Sequence, residues 1–239
     1  MPNILGRSPF EILVNLGVVF KSPEDGNGPV VFYDRTYVDA NGNIKNYVGF
    51  HYYNTAIIEQ SPEALEYFSH LLAETIKVNL PPYRHIIAGQ QEDSVLITAV
   101  VDKLLYSKAF CEKEVLAPAD LKHGRKEDSI LFFNQQNIQP NGNYIVFEGV
   151  YDHSDTTKQM IDSIELNGGN VVAIACIINS SEEKFFCDIP IFSVVHIPTP
   201  QYHQDVPEVK KLMEAFNFFS DPKHDWLSLK KEMKPGTKR

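Results

Sequence analysis

The eight residues 171–178, Val-Val-Ala-Ile-Ala-Cys-Ile-Ile, constrain this chain more than any other stretch. A run that is apolar at every position has no solvent face, so as a strand it must be buried on both sides. It follows TTKQMIDSIELNGG (156–169), which reads as a helix stopped by Gly168-Gly169. The same pairing recurs upstream. SPEALEYFSHLLAETIKVNL (61–80) has Ser61 as N-cap, Pro62 at the first helical position, an acidic first turn and apolar residues at helical spacing, and it precedes the strand RHIIAG (84–89). DSVLITAVVDKLL (93–105) reads as a helix, and SILFF (129–133), YIVFEG (144–149) and IPIFSVVHI (189–197) as strands. Apolar strands alternating with helices predict an α/β fold, a parallel sheet flanked by helices.

The front of the chain has a different texture. SPFEILVNLG (8–17) reads as a helix with Ser8 as N-cap, Pro9 at N1 and Gly17 as its stop. A turn-rich loop, PEDGNGP (23–29), leads into the strand PVVFYD. DANGNIKN (39–46) carries the Asn-Gly step of a hairpin, and GFHYYNT (49–55) follows as strand. Residues 1–60 are therefore expected to form a small N-terminal hood of helix plus β-meander. Residues 61–228 are expected to form the core with a C-terminal extension, and 229–239 a flexible tail.

Charge and cysteine usage narrow the partners. With 22 basic against 31 acidic residues the net charge is −9, and no basic surplus exists to displace counterions from nucleic acid or an anionic membrane. The apolar runs are too short to span a bilayer. Three widely spaced cysteines, Cys111, Cys176 and Cys187, and no signal-like N-terminus point to a reducing cytosol. Cys176, inside the apolar run, reads as core. His196 reads as a core or sheet-end residue, and His203 and His224 are too scattered for a metal site. The motifs of serine hydrolases, P-loop enzymes and dinucleotide binders are absent from the sequence.

In a parallel sheet, ligands bind beyond the carboxyl ends of the strands. Three such ends carry polar residues: AGQQEDS (88–94), EGVYDHSDT (148–156) and the run after residue 178. The second lies in YIVFEGVYDHSDTTKQM (144–160), a strand, a polar turn and a helix start, where unpaired N–H groups and the helix dipole favour an anion. Asp152 and Asp155 stand in that turn.

This stretch resembles the phosphoribosyl pyrophosphate (PRPP) motif of the type I phosphoribosyltransferases: an apolar strand, two acids, two apolar residues and a Thr/Gly-rich turn. Glu148 takes the first acid position and Gly149 the second, Val150 and Tyr151 are the apolar pair, and Asp152 to Thr156 fill the turn. The motif is degenerate, since the second acid and the turn glycines are replaced. AGQQEDSVLITAVVDKL (88–104) sits where the family's pyrophosphate loop leads into its helix. KHGRKED (122–128) sits where the orotate branch carries a mobile catalytic loop.

The resemblance implies transfer of the phosphoribosyl group from PRPP to a nucleobase, orotate first, with Mg²⁺ brought by PRPP and a homodimer as the assembly. It implies a ribose contact from Glu148 and phosphate contacts from His153, Ser154, Thr156 and Thr157. The resemblance would make Asp152 an acid/base, while its place at a helix start reads first as that of a cap or turn acid. Gln90, Lys113 and Arg125 would meet the pyrophosphate, Lys113 and Arg125 as members of the mobile loop, with Lys122 and His123 catalytic in the same loop. Glu92 and Asp93 read as first-turn helix acids, and Arg84 as a further anion contact. The same family includes regulators, so a non-catalytic protein binding a nucleotide or a protein partner is the alternative expectation.

Overall fold

The computed structural model describes residues 6–22, 30–82, 84–115, 129–134, 137–152, 155–215, 218–219, 222 and 226–228. Among these the chain forms, in order, α1 (Pro9–Leu16), β1 (Val19–Lys21), β2 (Val30–Val38), β3 (Ile44–Gly49), β4 (His51–Tyr53), a 3-10 segment (Thr55–Gln60) and α2 (Pro62–Asn79). There follow β5 (Ile86–Gln90), a 3-10 turn (Gln91–Asp93), α3 (Ser94–Leu104), β6 (Ser107–Val115), β7 (Ser129–Phe132), β8 (Asn143–Tyr151) and α4 (Asp155–Leu166). The last elements are β9 (Asn170–Asn179), β10 (Phe185–Phe186), β11 (Ile189–His196), α5 (Pro207–Ala215) and β12 (Phe218–Phe219). No helix of the described residues is long and apolar enough to cross a membrane.

The chain divides into two compact units, Met1–Asn54 with Thr199–Arg239, and Thr55–Pro198. In the first, α1 has the complete capping box that SPFE announces: the Glu11 N–H donates to the Ser8 hydroxyl, and the Ser8 N–H donates to the Glu11 carboxylate at 2.7 Å. Strands β2 and β3 pair antiparallel around the turn 39–43, where the Asp39 carboxylate accepts from the N–H groups of Asn41 and Asn43 at 2.9 and 2.8 Å. Lys45 closes on Asp39 at 3.1 Å and on Asp205 at 2.6 Å. A bridge between Val48 and Tyr202 holds the segment after Thr199 against β3. Tyr202, Asp205 and β12 thus pair with residues of β2 and β3 in this unit.

The second unit holds a seven-stranded sheet in the order β10-β11-β9-β8-β5-β6-β7. The five inner strands are parallel, and the two edges, β10 and β7, are antiparallel. This is the α/β architecture the apolar strands predict. Helix α4 packs Met160, Ile161 and Ile164 over Ala88, Val146 and Ile174 on one face; full burial of each such side chain is worth about 1.5–3 kcal/mol. Gly89, one residue past Ala88, points to the other face. A β-carbon there would lie 2.7 Å from Ile97 Cδ1, so the glycine lets α3 lie close on the sheet.

Edge strand β7 is covered rather than open. The Leu131 N–H donates to Gln159 Oε1 at 2.8 Å and the Phe133 N–H to Ser163 Oγ at 2.6 Å, both from α4. Backbone donors of an edge that would otherwise template a second strand are thereby satisfied.

Candidate functional site

The carboxyl ends of the parallel strands bring together β8, the turn after β5 and the 3-10 segment Thr55–Gln60. Strand β8 runs further than YIVFEG suggests, to Tyr151, because residues 150 and 151 continue the parallel ladder with Ile178 and Asn179. Glu148 lies inside it, opposite Cys176 and only 4% exposed. A carboxylate so covered is costly to hold in charged form and leaves its mark on its neighbours. Burial pushes the Cys176 thiol up, with Glu148 adding to the shift. Burial also raises Tyr151, with Glu183 and Glu148 adding next. Cys111 is pushed up to about 12 by burial, then by the field of Asp93, Glu148 and Glu92. Those three carboxylates therefore act on one thiol at one end of the sheet.

Gly149 is enforced by packing. A β-carbon at this position would lie 3.1 Å from Thr55 Cβ, closer still to the Thr55 hydroxyl, and 3.5 Å from Asp93 Oδ1. The space where a second motif acid would begin is thus filled by Thr55, with the Asp93 carboxylate beside it. Sequence reasoning placed Asp93 among helix first-turn acids; at the start of α3 it makes no side-chain cap bond. Nothing in the local sequence marks its proximity to residue 149, which arises from the crossing of two chain segments.

Helix α3 is capped instead from a distance. The Leu96 N–H, at the third position of the helix, donates to Glu59 Oε1 at 3.0 Å. Burial raises the Glu59 carboxyl above its ordinary value, and the Leu96 hydrogen bond lowers it in part. Glu59 is a second residue that sequence pattern does not single out.

The expected site residues fall in different parts of the fold. Glu148, Asp152, Thr156 and Thr157 lie along the β8–α4 connection, with Thr157 fully buried, Asp152 and Thr156 partly exposed, and α4 opening on an exposed Asp155. Lys158, in the same turn, pairs with Asp162. Gln90 ends β5, where it sits opposite Cys111 and immediately before the 3-10 turn. Lys113, expected in a mobile loop, has its backbone in β6 opposite Leu131, because the residues from 107 form a strand that pairs antiparallel with β7. Lys122, His123, Arg125, His153 and Ser154 lie outside the described residues. Arg84 precedes β5 at its amino end, the wrong end for an anion contact at this site. His196 ends β11, with Nε2 at 2.9 Å from the Ser181 carbonyl oxygen, as a sheet-end histidine should.

Among the described residues no group of three or more His, Cys, Asp or Glu is arranged to hold a metal ion. Two open grooves, of about 510 and 330 Å³, run beside α3 and along β11; neither is lined by Glu148 or Asp152.

No protein-family model matches the chain. Over 164 residues it is 21% identical to the orotate phosphoribosyltransferase of Carboxydothermus hydrogenoformans, covering 67% of this chain and 80% of that one. The crystal structure of orotate phosphoribosyltransferase from Aeropyrum pernix superposes with a TM-score of 0.51 at 13% identity, over 85% of this chain and 95% of that one. Leishmania donovani UMP synthase superposes with a TM-score of 0.52 at 12% identity, over 93% of this chain, which spans 41% of that longer protein. The sheet order, the flanking helices and these superpositions agree: the chain has the type I phosphoribosyltransferase fold.

Proposed function

We propose that this chain is a divergent phosphoribosyltransferase of the orotate type, moving the phosphoribosyl group of PRPP to a ring nitrogen of a nucleobase, with orotate the first base to test. The observation that carries this reading is Glu148, a covered carboxylate near the carboxyl end of the central strand, just ahead of the turn that opens α4. It stands at the first acid position of the PRPP motif, in a fold shared with orotate phosphoribosyltransferase.

In the proposed reaction the bond from the anomeric carbon to pyrophosphate breaks, a carbon–nitrogen bond forms, and the proton of the attacking nitrogen leaves. The transition state is cationic at the sugar, so the protein's task is to position the reactants and to neutralise the leaving group. Glu148 accepts a hydrogen bond from a ribose hydroxyl. The start of α4, with Thr156 and the residues before it, offers its N–H groups to the 5′-phosphate. Asp152 takes or returns the base proton. The turn after Gln90 faces the pyrophosphate, together with Lys113 of β6 and with Lys122, His123 and Arg125 of the basic stretch, which in a homodimer serves the neighbouring subunit. Mg²⁺, carried in on PRPP, supplies charge neutralisation of the pyrophosphate.

The test is direct. PRPP with Mg²⁺ should raise the melting temperature through binding linkage, and orotate should then release pyrophosphate. No shift at millimolar PRPP, and no pyrophosphate with any base, sinks the proposal.

A second reading is favoured by the contact between Thr55 and Gly149, which fills the position of the second acid. On that reading the chain binds a nucleotide or a protein partner in a regulatory role without catalysis. A nucleotide that stabilises the protein while no base releases pyrophosphate would select it.

A further inference from the structure

Helix α3 begins at the turn assigned to pyrophosphate, and the first N–H groups of a helix are its anion contacts. One of these groups already holds an anion. The Leu96 N–H donates to Glu59 Oε1 at 3.0 Å, across 37 positions of sequence, so this is a tertiary contact and not a local cap. The carboxylate arrives on the same 3-10 segment that begins with Thr55, beside Gly149. The residue placed to cap α3 locally, Asp93, makes no side-chain cap bond. Glu59 is partly buried, and burial raises its carboxyl while the Leu96 hydrogen bond lowers it in part.

We infer that Glu59 is a specificity-determining residue: its carboxylate occupies the α3 helix start in place of a ligand phosphate and weakens the binding of ligands that carry a pyrophosphate, relative to those that carry only the 5′-phosphate. The inference rests on the reading that the β5–α3 turn faces the pyrophosphate of PRPP. Two anions cannot share one N–H, and a carboxylate within a few ångströms of a phosphate repels it. Release of the contact, by movement of the 3-10 segment or by neutralisation of Glu59, frees the helix start. The 5′-phosphate is assigned to the start of α4, a different helix, and should be little affected by this contact.

The experiment compares wild type with Glu59→Gln by titration calorimetry on the full chain, using PRPP with Mg²⁺, inorganic pyrophosphate with Mg²⁺, and ribose 5-phosphate. Glutamine keeps an acceptor for the Leu96 N–H and removes only the charge. PRPP and pyrophosphate should bind about ten-fold tighter to the variant, the order expected of one nearby charge, with ribose 5-phosphate unchanged. Asp102→Asn, which removes an exposed charge near the opposite end of α3, controls for the general field and should move the affinities less. If ribose 5-phosphate binds while Glu59→Gln shifts PRPP and pyrophosphate no more than Asp102→Asn does, Glu59 has no such role and the phosphoribosyl reading survives. If neither wild type nor variant binds any of the three, that reading falls and the inference with it. Should the glutamine variant not fold, Glu59→Asp, which draws the charge back from the helix, should shift PRPP in the same direction by less; no shift there overturns the inference.

Discussion

Thr55 and Gly149 meet at the carboxyl end of the sheet so closely that residue 149 has room for hydrogen and nothing larger: the Cβ of Thr55 is 3.1 Å from where a β-carbon at 149 would stand. The absence of a side chain at residue 149 is therefore coupled to the packing of the 3-10 segment that begins with Thr55. Gly149→Ala should cost about 1–3 kcal/mol by overpacking. In a Thr55→Ala background, which removes the hydroxyl, the same change should cost less, the two sites being in contact and so non-additive. Urea unfolding of the four proteins of the cycle measures this. Additive costs would show that the contact does not constrain the position.

Ser163 secures the edge of the sheet. Its Oγ accepts from the buried Phe133 N–H at 2.6 Å, so Ser163→Ala leaves that donor without its partner. The expected loss is about 1–3 kcal/mol, with faster hydrogen exchange at the Phe133 amide. Unchanged exchange there would argue that the edge is protected by other means.

The three thiols should separate cleanly. Cys111 and Cys176 are buried, with Cys111 pushed up to about 12, whereas Cys187 is exposed in the β10–β11 turn. Since the thiolate is the nucleophile, a disulfide reagent at neutral pH should titrate one thiol per chain in the native state and three after denaturation. Replacement of Cys187 by serine should abolish the native reaction. Rapid native reaction of a second thiol would mean that the sheet end opens readily.

Legibility in the sequence followed how local each cause is. Ser8-Pro9 and Ser61-Pro62 announce their helices because capping is settled within four residues, and 171–178 announces a buried strand because no face of it is polar. Strand β6 is passed over for the converse reason. Ser107–Val115 carries Lys108, Glu112, Lys113 and Glu114, and its place in the sheet comes from β5 on one side and β7 on the other. Lys113 was consequently expected in a loop. At the site, the glycine at 149 could be read directly. Its cause, Thr55, and the capping of α3 by Glu59 could not, because both are contacts between segments that share no pattern.

Asp39 offers the clearest pH dependence. Its carboxyl is lowered to about 2, first by the Asn43 N–H, with Lys45 among the further contributors, and its side chain is only 3% exposed. A carboxyl with a depressed folded pKa contributes stability above its unfolded value, and that contribution is lost as pH falls toward the folded one. The contribution should therefore be complete above about pH 4 and disappear between there and about pH 2. Asp39→Asn keeps a side-chain acceptor for the turn but loses the charge that faces Lys45. The variant should unfold at lower urea than wild type at neutral pH, and the gap should close as pH approaches 2. A gap that persists unchanged to the lowest pH would mean that the carboxylate's charge is irrelevant to the turn, and that only its shape matters.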